Sequence, residues 1–205
     1  MWRAVLVCAA AVATAWLASR AAGIVTRVRR FIGAPVGAPA SPGREPPVRI
    51  GLLGVAKVAP WALMYPSRHL ADRVEVVAVG ARDPARAVRF ARDWSIRSAG
   101  DYASVLTDPN VEAVYIPLIN GLHYEWAARA LGARKHVLVE KPISSNAREA
   151  RALSDIARDR GCLLVEAFHY RHHPLMHRVR DILHSGEIGA LPPLAELHML
   201  PSARG

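Results

Sequence analysis

The feature that most constrains the fold is a regular alternation of short apolar runs with amphipathic segments, which begins at Val48. The apolar runs are VRIGLLG (48–54), VEVVAVG (74–80), VEAVYIPL (111–118), HVLVE (136–140) and CLLVEAF (162–168). This alternation is typical of βαβ units, in which parallel strands form one sheet with helices on both faces. The sequence therefore predicts an α/β, doubly wound parallel sheet whose ligand lies outside the carboxyl ends of the strands.

The segments between the strands are predicted to be helices. One runs to about Leu70, and the others cover residues 84–94, 120–132, 147–160 and 173–186. Each repeats apolar residues at helical spacing, as Phe90 and Trp94 do in the second helix. Asn146 is expected to cap the helix that begins at Ala147, because an Asn side chain can accept hydrogen bonds from the free N–H groups of a first turn.

The first 47 residues differ in composition from the rest of the chain. Residues 4–18 are uncharged and mostly apolar, but a helix that spans a bilayer needs roughly 20 such residues. The run favours a signal-peptide core; a membrane anchor over residues 4–28 and a start codon assigned too far upstream are the alternatives. Residues 31–47 are rich in Pro, Gly and Ala and predict a linker. The expected organisation is a leader over 1–30, this linker, and a folded domain over 48–190.

The charge of the chain is basic but unevenly spread. The formal net charge is +10, and residues 1–47 carry six arginines against the single acid Glu45. No run of Lys and Arg interleaves with aromatic residues, so a nucleic-acid partner is not predicted. The two cysteines, Cys8 and Cys162, belong to no metal or redox motif.

The turn after the first strand matches part of a phosphate-binding fingerprint. Gly54, Ala56 and Ala59 stand at the three small-residue positions of G-x-G-x-x-G/A, where small residues allow a tight turn, a close approach to a pyrophosphate and close helix packing. Ala56 replaces the usual second glycine, so the phosphates are expected slightly further from the backbone. The alternative is an ordinary β–α turn, in which small residues are also common.

The end of the second strand predicts which dinucleotide is bound. An NAD site usually has a carboxylate there, whereas this chain has Ala81 followed by Arg82. A guanidinium suits a 2′-phosphate, so NADP is predicted ahead of NAD. The alternative is a solvent-exposed Arg82 that begins a loop, with Asp83 capping the next helix.

Four segments together resemble the glucose–fructose oxidoreductase/inositol dehydrogenase (Gfo/Idh/MocA) family. They are RIGLLGVAKVAP, YIPLINGLHYEWAARAL, KHVLVEKPIS and EAFHYRHHP, and the resemblance extends over residues 48 to about 192. The branch it resembles most is that of the dihydrodiol and sugar dehydrogenases, which use NADP. The resemblance implies a Rossmann-type cofactor domain followed by an open-faced sheet domain. It also implies hydride transfer between nicotinamide and a secondary alcohol or carbonyl of a sugar, polyol or dihydrodiol.

The resemblance also implies the site residues. Lys141, within Glu140-Lys141-Pro142, is the implied catalytic residue, since an ammonium stabilises a developing alkoxide. Glu140 would orient Lys141, and a cis bond to Pro142 would fix the backbone. Asn120 and His123 match an N-x-x-H segment beside the nicotinamide ribose. The residues implied to border the substrate are Tyr170, Arg171 and His173.

The resemblance also bears on the whole protein. Residues 191–205 would hold only the first strand of the second domain, so the chain is expected to be an incomplete, cytoplasmic enzyme acting on a small polyhydroxylated substrate. An inactive nucleotide-binding remnant and a membrane-tethered binding module are the alternatives, and a homo-oligomer stays open. A metal site at His169, His172, His173 and His177 is disfavoured, because no cysteine lies nearby.

Overall fold

The computed structural model describes residues 46–189, so the leader (1–30), nearly all of the linker (31–47) and the expected start of a second domain (191–205) lie outside the described residues. Six strands form one sheet in the order β3-β2-β1-β4-β5-β6, and every neighbouring pair is parallel. The strands are β1 Val48–Leu53, β2 Val74–Gly80, β3 Ser98–Gly100, β4 Ala113–Ile116, β5 His136–Val139 and β6 Leu164–Glu166. The predicted doubly wound parallel sheet is confirmed.

Helices follow each strand. They are α1 Tyr65–His69, preceded by a π-helical turn Pro60–Met64, then α2 Pro84–Trp94, α3 Tyr102–Thr107, α4 His123–Gly132, α5 Ala147–Arg160 and α6 Pro174–Ser185. Short 3-10 turns at Asn120–Leu122 and His169–His172 precede α4 and α6. The Asn146 side chain accepts a hydrogen bond from the Glu149 N–H, which confirms the predicted cap. Within residues 46–189, no helix is both long and apolar enough to cross a bilayer.

The core lies on both faces of the sheet. Because successive side chains of a strand point to opposite faces, Tyr115 joins the cluster that contains α2, while Ile116 joins the cluster that contains α4 and α5. Both residues are almost completely buried. Strands covered on both faces are apolar without alternation, which explains the continuous apolar runs in the sequence.

One strand and one helix were not predicted. The edge strand β3 has three residues and is only partly buried, and α3 follows it after the single residue Asp101. Neither is long enough to show a period. The predicted strands over 111–118 and 162–168 are also longer than the observed β4 and β6, because apolar residues continue past the last ladder hydrogen bond.

Polar side chains fasten the amino-terminal edge of the sheet. The Lys135 ammonium donates to the carbonyls of Asp108 and Val111, at 2.9 and 2.7 Å, and the His136 ring accepts from the Leu163 N–H at 2.9 Å. Burial lowers the pKa of Lys135. These contacts tie the loop before β4 and the start of β6 to β5.

Candidate active site

The carboxyl ends of the parallel strands meet at one edge of the sheet, which we call the carboxyl edge. Four predicted site residues follow successive strands along it, in the order Arg82 (after β2), Gly54 (after β1), Asn120 (after β4) and Lys141 (after β5). The chain order reverses between β1 and β4, and a crevice forms at such a switch point. The edge therefore brings together residues that are far apart in sequence.

The glycine turn, residues 54–59, requires its first residue to be glycine. Gly54 has φ +109°, and a Cβ atom there would lie 2.7 Å from Leu118 Cδ2. Its N–H donates to the Gly80 carbonyl at 2.8 Å, which ties the turn to β2. Ala59 is fully buried, and its N–H donates to the Ala56 carbonyl at 3.0 Å. Small side chains at both alanines fit this packing.

The backbone of the glycine turn offers hydrogen-bond donors. Among the described residues, the N–H groups of 55–58 make no hydrogen bond. Successive N–H groups in a turn form an anion-binding concavity, since each must otherwise be satisfied by water. The turn can therefore bind a phosphate through its backbone.

Two arginines follow β2, and one of them contacts this turn. Arg82 is exposed directly after the buried Ala81. Arg86, in the first turn of α2, directs Nη2 at the Val55 carbonyl at 3.5 Å and lines a cavity of about 180 Å³ with Val55 and Phe90. Arg86 was not among the predicted site residues, and it is four residues beyond Arg82 in the sequence.

Glu140 is held by a buried tyrosine. The Tyr115 hydroxyl donates to Glu140 Oε1 at 2.7 Å, while the Lys141 N–H donates to Oε2 at 3.3 Å. Burial, together with the charge and hydrogen bond of Glu140, raises the pKa of Tyr115 well above its usual range, so the hydroxyl stays a donor. Glu140 thus orients the backbone of Lys141, whose ammonium is exposed. Tyr115 was not among the predicted site residues, because its only signal in the sequence is a hydroxyl in an aliphatic run.

The loop over residues 140–146, which we call the Lys141 loop, is fixed on both sides of its proline. The Lys141–Pro142 peptide bond is cis, as the resemblance implied. The Ile143 N–H donates to Glu166 Oε1 at 2.9 Å. Glu166, at the end of β6, was also missed. The Lys141 ammonium therefore extends into solvent from a constrained backbone.

His123 lies under this loop and is completely buried. Its Nδ1 is 2.6 Å from the Pro142 carbonyl oxygen and its Nε2 is 2.9 Å from the Leu118 carbonyl oxygen. Asn120, in contrast, is exposed at the start of its 3-10 turn. Both ring nitrogens of His123 are occupied, so its position is that of a brace between two loops, whereas Asn120 is accessible to a ligand.

The expected substrate-side residues lie after β6. Tyr170 is exposed and packs edge-on against Phe168, with ring centroids 5.6 Å apart, and Arg171 is exposed beside it. The ring of His173 accepts from the Leu175 N–H at 3.1 Å, so it caps α6. Burial, followed by the nearby Arg171 charge, lowers the pKa of His172. Over residues 46–189, no three His, Cys, Asp or Glu side chains are grouped as metal ligands.

A parallel sheet in the order 3-2-1-4-5-6, with a glycine turn after its first strand, defines a dinucleotide-binding domain of the Rossmann type. Residues 48–168 match the Gfo/Idh/MocA family, an oxidoreductase family with an NAD-binding Rossmann fold, and the chain belongs to that family. The resemblance inferred from the sequence is confirmed.

Characterised relatives include several sugar-modifying enzymes. A dTDP-3,4-didehydro-2,6-dideoxy-alpha-D-glucose 3-reductase of Saccharopolyspora spinosa is 43% identical over 155 residues, which is 76% of this chain and 46% of the relative. A trans-1,2-dihydrobenzene-1,2-diol dehydrogenase of Mus musculus is 42% identical over 57% of this chain and 35% of the relative. The chain thus spans less than half the length of these relatives.

A solved structure agrees with the fold. The crystal structure of KijD10, a 3-ketoreductase from Actinomadura kijaniata in complex with TDP-benzene and NADP, in its open conformation, superposes with a TM-score of 0.63 at 40% identity. The match covers 70% of this chain and 45% of that chain.

Proposed function

We propose that this chain forms the NADP-binding part of an oxidoreductase that acts on a carbon bearing a hydroxyl or keto group in a sugar-like substrate. The observation that carries the proposal is the row along the carboxyl edge, where the two arginines follow β2, the glycine turn follows β1 and the Lys141 loop follows β5. A dinucleotide has the matching parts in the matching order: an adenosine with its phosphate, a pyrophosphate and a nicotinamide riboside.

The glycine turn would bind the pyrophosphate. Any side chain at Gly54 would strike Leu118, and the N–H groups of residues 55–58 are not used within the described part of the chain. Backbone donors in such a turn favour an anion. The residues present therefore fit the diphosphate of a dinucleotide.

Arg82 and Arg86 would bind the 2′-phosphate of NADP. Ala81 occupies the place where a carboxylate would bond the ribose hydroxyls of NAD. Arg82 follows it directly, and Arg86 directs Nη2 at the Val55 carbonyl at 3.5 Å. A guanidinium matches a phosphate in charge and geometry. The KijD10 structure, 40% identical, contains NADP, which supports the same choice here.

Lys141 would act on the substrate oxygen. When bound, the nicotinamide supplies or accepts the hydride. Lys141 then places an ammonium where negative charge forms on the substrate oxygen, and it can donate a proton to that oxygen in the reducing direction. Glu140 and Tyr115 would hold the Lys141 backbone so that the ammonium projects towards the cofactor.

The substrate class that the relatives favour is a sugar with a ring carbonyl. The 3-reductase is named for a dTDP-linked didehydro-dideoxyglucose and the 3-ketoreductase for the keto group it reduces, and they are 43% and 40% identical to this chain. A dihydrodiol is the second candidate, favoured by the 42% identity to the mouse dehydrogenase.

The test is a fluorescence titration of the full chain with NADPH and with NADH. Arg82→Ala and Arg86→Ala should weaken NADPH binding by about tenfold and NADH binding little, because only NADPH carries the phosphate that these arginines would contact. Lys141→Ala should leave both affinities nearly unchanged.

Arg97→Ala is the matched control. It removes the same charge from an exposed arginine that pairs with Glu75 at 3.2 Å, near the other end of β2. Equal losses for NADPH and NADH in the Arg82 variant would refute the 2′-phosphate assignment. Absence of binding by either nucleotide would refute the proposal as a whole.

A further inference from the structure

We propose that Arg89 and Asp93 set the strength of the preference for NADP over NAD, through the cavity that they share with Arg86 beside the glycine turn. Arg89 supplies a further guanidinium for the 2′-phosphate, and Asp93 opposes that phosphate with a negative charge. The inference rests on the proposed function, which assigns the 2′-phosphate to Arg82 and Arg86. Neither Arg89 nor Asp93 was a predicted site residue.

The cavity lies between the glycine turn and one face of α2. Its volume is about 180 Å³, and its lining consists of Val55 from the turn and of Arg86, Arg89, Phe90 and Asp93 from α2. Residues three or four positions apart lie on the same face of a helix, so these four side chains share one surface. Phe90 is buried in the core and thereby fixes this face of α2 against the sheet. The cavity is therefore lined by two cations and one anion.

Side chains are the hydrogen-bond donors that α2 can offer to a ligand here. In its first turn, the Ala85 N–H donates to Asp83 Oδ1 and the Arg86 N–H donates to the Asp83 carbonyl, both at 3.0 Å. Pro84 has no N–H to donate. An anion in the cavity would therefore be bound from α2 by guanidinium groups and not by the helix backbone.

Arg89 has an exposed side chain that is available to such an anion. It makes no hydrogen bond or ion pair within residues 46–189. Arg86 is held at the glycine turn by its contact with the Val55 carbonyl, which uses one of its five N–H donors. Like charges one helical turn apart repel each other, and an anion between them removes that repulsion. A phosphate, with several acceptor oxygens, can accept from both guanidinium groups.

Asp93 gives the same cavity a charge of the opposite sign. Its carboxylate pairs with Arg92 at 3.3 Å, but its side chain is 59% exposed, and a pair in water only partly cancels the charge of its members. This carboxylate repels a phosphate in the cavity, whereas it does not repel the hydroxyl that NAD carries in place of the phosphate. Asp93 should therefore reduce the preference for NADP that the arginines create.

The test is the ratio of the dissociation constants for NADH and NADPH, measured by fluorescence titration of the full chain at low salt. Arg89→Ala should weaken NADPH binding about fivefold, as expected for one exposed charge pair. Arg89→Lys should weaken it less, because the charge remains although the planar fork is lost. Asp93→Asn should strengthen NADPH binding by about two- to threefold, since it removes a screened repulsion. NADH binding should change little in all three variants.

Two control variants make the same changes of charge away from the cavity. Arg97→Ala removes an exposed arginine near the other end of β2. Asp72→Asn removes a carboxylate that, like Asp93, is 59% exposed and pairs with the arginine next to it in sequence. Both controls should leave the ratio unchanged. High salt should shrink the effects at Arg89 and Asp93, because it screens exposed charges.

The outcomes separate this inference from the proposed function. A wild-type ratio in Arg89→Ala would overturn the inference, and the proposed function would still stand on Arg82 and Arg86. Equal losses of NADPH and NADH binding in Arg89→Ala would overturn it as well, because they would show a disturbed helix and no contact with the 2′-phosphate. Weaker NADPH binding by Asp93→Asn would contradict the assigned repulsion. A wild-type chain that binds neither nucleotide would refute the proposed function and the inference with it.

Discussion

The hydrogen bond between Tyr115 and Glu140 allows a quantitative prediction, because its removal changes a single atom. Tyr115 is 1% exposed, and its hydroxyl donates to Glu140 Oε1 at 2.7 Å. Tyr115→Phe keeps the ring in the core and removes only the donor. A hydrogen bond to a charged group contributes about 1.5–3 kcal/mol. Glu140 is half-buried, so water can partly replace the hydroxyl, and the expected loss is about 1.5 kcal/mol, at the lower end of that range.

Urea denaturation of the full chain measures this loss. We expect a lower midpoint with an unchanged slope, because the variant exposes the same surface on unfolding. Tyr102→Phe is the control: its ring packs edge-on against Trp126, with centroids 4.9 Å apart, and within residues 46–189 its hydroxyl makes no hydrogen bond. A difference between the two variants below about 0.5 kcal/mol would refute the reasoning, since an anionic acceptor should make its donor costly to remove.

Two further predictions concern the glycine turn and the segment after β6. Gly54→Ala combines a positive φ with a 2.7 Å contact to Leu118, so it should destabilise the chain by about 1–3 kcal/mol and abolish NADPH binding; unchanged thermal unfolding would contradict this. The pKa of His172 is lowered in the folded chain, so the unfolded chain binds more protons between that pKa and about 6.5. Stability should therefore fall as pH drops through this window and fall less in His172→Gln, as measured by urea unfolding at pH 7 and at about pH 5.5; identical pH profiles for the two proteins would refute the assignment.

Much of the fold could be predicted because it depends on periodic patterns. The boundaries of β2 and α2 are those predicted, since Val74–Gly80 is a continuous apolar run and Asp83 caps the following helix. The edge strand β3 and α3 could not be predicted in this way. A strand of three residues contains less than two periods, and its pairing with β2 is a property of the sheet rather than of its own sequence.

The exposed residues of the site were predicted from the sequence, whereas two partly or fully buried residues that hold them in place were not. Lys141 and Arg82 stand out in the sequence because charges follow apolar runs. Tyr115 and Glu166 support the Lys141 loop from neighbouring strands, and only the sheet order brings them to it. His123 was predicted as part of the site, but its two carbonyl partners are separated from it by 5 and 19 residues, so its bracing position could not be read from local sequence.

The Lys135 ammonium has a consequence for how this scaffold can be altered. It ties the loop over residues 108–111 to β5 by donating to two main-chain carbonyl oxygens. Those oxygens are present whatever side chains the loop carries. Residues 108–111 can thus vary in sequence without loosening the joint, provided that the path of the chain is kept. The loops at the carboxyl edge could be replaced by those of a relative with another nucleotide preference without disturbing these hydrogen bonds. The scaffold is therefore suited to a change of cofactor preference by loop grafting.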